Sequence, residues 1–310
     1  MTGQVEGVGD MSGVEILQAI QTIQSPLLDR VLGLITNLHH EAVYILVLPL
    51  IYWLYDKRFG RYMFSVFVIG FWSNDFLKEV FRTPRPDPAQ VRVILAETGG
   101  GYAFPSGHAQ TPLVFWGAIA DHVRRRWFTW AAGILVFLIG FSRLYIGVHW
   151  PLDVIGGWAI GLVVLWLMVR SRRFWTGEGQ SLGLQALLAF LLPGAALGLL
   201  ALLGPVDEIA WMVMGTWSGL LLGSALEEQW VRFDPRAGTP LQHLLKIIVG
   251  IVLVLAAKEG LKLVLPDSGV GDMVRYGLVA FTATLVAPWL FARFIARPPA
   301  VQLEQKTHHL

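Results

Sequence analysis

Apolar residues run together in this chain for lengths that match a bilayer. About nine segments of roughly 17 to 25 residues, near 39–56, 62–81, 106–122, 127–147, 151–170, 182–204, 208–226, 243–265 and 273–293, are long enough to cross the hydrocarbon core as helices. The first and third are the shortest. The expected fold is all-α, a polytopic transmembrane helical bundle of about nine spans. Composition agrees, with 55% hydrophobic and only 15% charged residues. A formal net charge of +2, carried by dispersed basic residues, excludes a nucleic-acid surface. The absence of cysteine excludes disulfides, thiolate metal sites and cysteine nucleophiles.

The connections between the runs orient the bundle. DKRFGR (56–61), RRR (124–126), RSRR (170–173), EEQWVRFDPR (227–236) and RFIAR (293–297) are rich in arginine, whereas GPVDE (204–208) and PDSGVGD (266–272) have none. The arginine side is cytoplasmic by the positive-inside rule, so the N-terminus is expected outside and the C-terminus in the cytoplasm. Glu6 and Asp10 without a basic flank do not make a signal peptide. Residues 1–38 read as a tail and an interfacial amphipathic segment, 39–175 as a core of about five spans, 180–296 as a four-span extension, and 297–310 as a cytoplasmic tail. One outward loop, Arg82 to Arg92, breaks the charge pattern with three arginines and is expected to bind something anionic.

Three constellations fall on that outer side. In KEVFRTPRP, Lys78 and Arg85 are two helical turns apart, so they are expected on one helix face, with the prolines ending the helix. Two basic side chains snorkelling at a helix end would leave the same letters. In GYAFPSGHAQ, Pro105 cannot continue a preceding helix, Ser106 suits an N-cap or first turn, Gly107 permits close backbone approach, and His108 opens the next span. Free N–H groups at a helix start attract an anion, although an ordinary capped helix with its histidine among headgroups is the plainer alternative. In SRLYIGVHWPLD, Pro151 suits a first helical turn, and His149 and Asp153 can meet at i, i+4, so that a carboxylate orients an imidazole. Such a pair can also merely satisfy itself at the interface. A metal site would need a third and fourth ligand that no recognisable spacing supplies. The glycines of IGGWAIG are assigned to helix packing. Placed together on one membrane face, cations, helix-start amides and two histidines are the parts for phosphoryl transfer without a metal.

The pattern Lys78-x6-Arg85-Pro86, Pro105-Ser106-Gly107-His108 and Ser142-Arg143-x5-His149-x3-Asp153 resembles the three-part signature of the type 2 phosphatidic acid phosphatase (PAP2) superfamily, over roughly residues 40 to 170. The nine-span layout and the stretch ETGGGYAFPSGHA are similar to glucose-6-phosphatase. The resemblance implies a PAP2-type acid phosphatase, a hydrolase of phosphoric esters or anhydrides that needs neither metal nor cofactor. His149 would be the nucleophile forming a phosphohistidine, Asp153 its orienting partner, and His108 the general acid and base. Lys78, Arg85, Ser106, Gly107 and Arg143 would bind the phosphate.

A site at the outer interface favours a membrane lipid whose tail stays in the bilayer: a phosphate monoester or diphosphate of the phosphatidic acid, phosphatidylglycerophosphate or undecaprenyl diphosphate type. A soluble sugar phosphate such as glucose 6-phosphate, a lipid phosphotransferase, and a transporter of phosphorylated solutes are the alternatives. Against transport stand the lack of an inverted repeat and motif residues away from the midplane. In the extension, Lys258 and Lys262 are candidates for substrate selection, or plain snorkelling residues beside Glu259. Asp272 and Arg275 open the ninth run. Glu227, Glu228 and Arg232 read as a cytoplasmic cap on the seventh. Compact loops point to a bacterial plasma membrane, with the active site at the extracytoplasmic face.

Overall fold

The computed structural model describes residues 10–39 and 41–295, all helix and connecting segments with no strand among them. The first tail residues, with Glu6, and the tail 297–310 lie outside the described residues. Among the described residues, five helices are long and apolar enough to cross a membrane: Arg126–Tyr145, Pro151–Arg170, Leu182–Ala201, Glu208–Val231 and Gly269–Ile295. The remaining expected spans are also helical, at Glu41–Leu50 with its continuation Ile51–Tyr55, Lys57–Phe81, Gly107–Val123 and Pro240–Lys262. These are shorter, or carry more charge.

The chain divides into two compact units, residues 1–44 with 66–171, and residues 45–65 with 172–310. The helix Lys57–Phe81 contributes residues to both.

The first unit holds α1 (Asp10–Gln21), α2 (Pro26–Asn37), the start of α3 (Glu41–Leu50), the later part of α4 (Lys57–Phe81), α5 (Gly107–Val123), α6 (Arg126–Tyr145) and α7 (Pro151–Arg170), while the rest of α3 belongs to the second unit. Ser25 caps α2 by accepting the Leu28 N–H, with Pro26 at the first helical position where its missing donor costs nothing. The α2 helix packs on α6, while α5 packs on both α6 and α7. Small residues make the α5 and α7 contact close: a Cβ on Gly157 would stand 2.6 Å from the Ser106 carbonyl oxygen and 3.0 Å from Ala109 Cβ. The IGGWAIG glycines thus serve packing, as their spacing implies.

Side chains stitch the N-terminal pair of helices to this unit. Gln21 donates to the Arg92 and Tyr145 carbonyls and accepts the Arg92 N–H at 3.0 Å. Asp29 accepts from Arg92 at 3.0 and 2.5 Å and from the Tyr145 hydroxyl at 2.7 Å. Those bonds, Arg92 first, pull the Asp29 carboxyl from 3.8 down to about 2.

The second unit is built from α8 (Arg172–Thr176), α9 (Leu182–Ala201), α10 (Glu208–Leu226), α11 (Pro240–Lys262) and α12 (Gly269–Phe281), with the start of α4. Asp207, Thr239 and Ser268 each cap their helix by accepting a backbone N–H three residues on. Gly215, Gly219 and Gly223 form a stripe on α10 that lets the backbone of α12 and Thr284 come into contact, so a side chain there would collide with it. Asp272 and Arg275 pair with each other on α12. Buried Glu227 accepts from Lys57 at 2.9 Å and from the Phe233 N–H at 2.7 Å, and Glu228 binds Arg58 at 2.7 Å. Beside these pairs a cleft of about 590 Å³ is lined by residues that include Tyr55, Arg58, Glu228, Arg232 and Arg236.

Candidate active site

The three motifs meet inside the first unit. His149 sits in the short connection before α7, almost wholly buried. Pro151 starts that helix and Asp153 lies in its first turn, where its carboxylate accepts the Trp150 N–H at 2.7 Å and stands 3.2 Å from His149 Nδ1. A helix start is a favourable place for a carboxylate. With Nδ1–H donating to Asp153, the lone pair falls on Nε2, which takes an N–H of Arg85 at 3.1 Å. Burial, then the charges of Arg143, Arg85 and Lys78, hold His149 well below the ordinary histidine range, so the ring is neutral.

Arg85 is fixed by carbonyls. It donates to Val148 at 2.7 Å, Gly101 at 2.9 Å, Gly100 at 2.5 Å and Tyr102 at 3.2 Å. The expectation that Lys78 and Arg85 share a helix face is corrected here. The α4 helix ends at Phe81, and Arg82 adopts a left-handed φ of 48°, so Arg85 reaches the site from an extended loop while Lys78 stays on the helix. The three outer arginines also divide: Arg92 pairs with Asp29 and Arg82 stands 3.5 Å from Glu79, so of the three only Arg85 is at the histidine.

Ser106 is the N-cap of α5, but its hydroxyl makes no cap bond; it is buried without a protein partner among the described residues. Its N–H donates to the Asp153 carbonyl at 2.9 Å, locking the second motif onto the third. A Cβ on Gly107 would lie 2.9 Å from Asn74 Oδ1, so the glycine is required by close approach. His108 occupies the first turn of α5, its ring edge-on to that of His39 at 4.3 Å. Arg143 is fully buried, donating to the Thr36 and Thr98 hydroxyls at 2.9 and 3.0 Å and to the Thr98 carbonyl at 2.8 Å. Lys258 and Lys262 belong to the second unit, where both are exposed on α11.

Several functional neighbours are not in the three motifs. Asn74 donates to the Pro105 carbonyl at 3.1 Å and to Gln110 Oε1 at 3.0 Å; Gln110 in turn donates to Ser73 at 2.8 Å and to the Gly70 carbonyl at 3.2 Å. The signal that could have found them is a lone amide inside each apolar run, a costly placement that calls for a role. Thr36 lies in what reads as the interfacial segment and His39 opens the first apolar run, and no spacing links them to Arg143 or His108. Among the described residues, no group of three or more His, Asp or Glu side chains gathers as a metal site.

Comparison with known proteins places the chain in a family. The family model of the PAP2 superfamily matches residues 44–176, and that of the transmembrane extension of PAP2 superfamily phosphatases matches 211–298. An undecaprenyl-diphosphatase of Sulfolobus acidocaldarius is 31% identical over 51% of this chain and 77% of its own length. The lipid phosphate phosphatase delta of Arabidopsis thaliana is 28% identical over 52% of this chain, which spans only 43% of that protein. Mouse sphingosine-1-phosphate phosphatase 1 is 24% identical over 83% of this chain and 70% of its own length. The chain belongs to the PAP2 superfamily of membrane phosphatases, hydrolases of phosphoric esters.

Proposed function

We propose that this protein hydrolyses a lipid phosphate monoester or diphosphate, at the extracytoplasmic face of a membrane that it crosses about nine times with its N-terminus outside. The observation that carries the reading is the line Asp153, His149, Arg85, in which a carboxylate fixes one imidazole nitrogen and a guanidinium stands at the other. The relatives named for undecaprenyl diphosphate, sphingosine 1-phosphate and lipid phosphate all point to amphiphilic phosphates. The outer loops GPVDE and PDSGVGD, which lack arginine, support the orientation, with the Arg82 to Arg92 loop as the exception. On this reading residues 39–175 carry the chemistry, and Lys258 and Lys262 of the extension contribute to headgroup choice.

His149 Nε2 attacks phosphorus, forming an N–P bond as the P–O bond to the leaving group breaks. His108 gives its proton to the departing oxygen, then takes one from the water that attacks the phosphohistidine, and inorganic phosphate leaves with His149 restored. Asp153 stabilises the imidazolium character that develops. Arg85, Arg143, Lys78, the Ser106 hydroxyl and the amides at the start of α5 hold the non-bridging oxygens, and the buried, partnerless Ser106 hydroxyl gains a bond when they do. The steps use protein groups and water alone.

The test is phosphate release in detergent from long-chain lipid phosphates, lipid diphosphates and glucose 6-phosphate, comparing wild type with His149→Ala. Lipid-dependent release that the variant lacks is expected. Release from the sugar phosphate alone would overturn the substrate class, a phosphorylated acceptor in place of free phosphate would mean transfer, and equal release by both proteins would overturn the nucleophile.

A further inference from the structure

His39 lies just beyond the end of α2 and outside residues 44–176, yet it is in ring contact with the histidine that the mechanism needs as acid. The two imidazoles meet edge-on with centroids 4.3 Å apart and planes at 64°. His39 Nδ1 is 2.9 Å from the hydroxyl of Tyr44. Tyr44 is itself immobilised, buried to 1% exposure with its ring 4.6 Å from Phe67 and 4.9 Å from Phe115. The bond forms with Tyr44 donating when the His39 proton is on Nε2, and with His39 donating when it is on Nδ1; either way it anchors the ring.

Lys78 of α4, Arg143 of α6 and His149 before α7 act electrostatically on His108 beside His39. A second protonated imidazole with its centroid at 4.3 Å would be strongly repelled, so the pair carries at most one proton.

We propose that His39 is a positioning residue for His108: anchored by Tyr44, it fixes the orientation of the His108 ring and with it the path of the proton that His108 gives up. The inference rests on His108 being the acid of the proposed reaction. It extends the active site to an N-terminal segment that the motifs do not include. The segment is well braced for the purpose, because Thr36, one turn earlier, binds Arg143, and Asp29 is tied to Arg92 and Tyr145.

His39→Phe keeps a ring against His108 and removes its nitrogens; His39→Gln keeps a polar group for Tyr44 without an imidazole. In both, kcat for an alkyl lipid phosphate should fall about tenfold. The loss should be smaller for a lipid diphosphate, whose leaving group needs less help, and the basic limb of the kcat profile should move to higher pH. Equal losses for both substrates with an unmoved profile would show a merely structural role and overturn the proposal. Histidine-labelled protein in detergent gives a measurement that needs no turnover. The His108 ring signal, assigned by its loss in His108→Ala, should titrate differently in either variant, and an unchanged titration in a folded variant overturns the proposal. A wild type inactive on every phosphate would instead overturn the phosphatase reading, with the titration still deciding the role of His39.

Discussion

At His149 the two nitrogens meet opposite partners, a carboxylate at Nδ1 and a guanidinium at Nε2, and each makes a separate prediction. Asp153→Asn leaves the shape and removes the charge that fixes the tautomer, so kcat should drop by about a thousandfold with little change in KM, measured on one lipid phosphate. The cations around His149 give the pH dependence. They and burial lower its proton affinity, so the neutral, attacking form persists to a pH below the usual 6.5 and is lost only as pH falls further. The acid limb of kcat/KM for the free enzyme should lie there. Arg85→Gln should lower kcat/KM by roughly a hundredfold and move that limb upward; comparing both proteins on one substrate cancels the substrate's own titration.

Among the elements, the α5 and α7 contact and the docking of α2 govern the geometry. Gly157→Ala forces a methyl toward the Ser106 carbonyl, at a cost of about 1 to 3 kcal/mol, and should lower both Tm and kcat. Asp29 offers a pH test with a definite sign. Because its folded pKa is depressed to about 2 from 3.8, its bonds to Arg92 and Tyr145 add stability that is complete above 3.8 and lost as pH falls through about 2. Hydrogen-exchange protection in 26–37, taken relative to the intrinsic rate at each pH, should therefore be full at pH 5 and reduced near pH 2, while Asp29→Asn should show the reduced protection already at pH 5. The helices themselves were legible, since apolar length announces a span and Pro151 announces a helix start. The path of Arg85 was not, because a left-handed turn at Arg82 is set by what the loop must reach and not by local letters. The amides of Asn74 and Gln110 were visible only as odd residues in apolar runs. Thr36 and His39 owe their places to the packing of α2 on α6, which sequence spacing does not encode.

For the whole molecule, membership in the superfamily and five helices, among the described residues, long and apolar enough to cross a membrane set the expectation that the enzyme works on a substrate anchored in the same bilayer. A long-chain lipid phosphate should therefore exceed glucose 6-phosphate in kcat/KM by at least roughly tenfold, since binding of the remote tail supports the chemistry at the headgroup. Lys258→Ala and Lys262→Ala should alter the ranking of headgroups without abolishing turnover, and an unchanged ranking removes them from substrate selection. The clasp between Asn74 and Gln110 has a bearing on how such an enzyme can diverge. The Asn74 N–H₂ serves the Gln110 oxygen while Asn74 also holds the Pro105 carbonyl and Gln110 holds Ser73 and the Gly70 carbonyl of α4, so replacing either alone strands a buried donor or acceptor. Descendants of this chain should alter those two positions together or leave both untouched, however freely their lipid-facing residues drift.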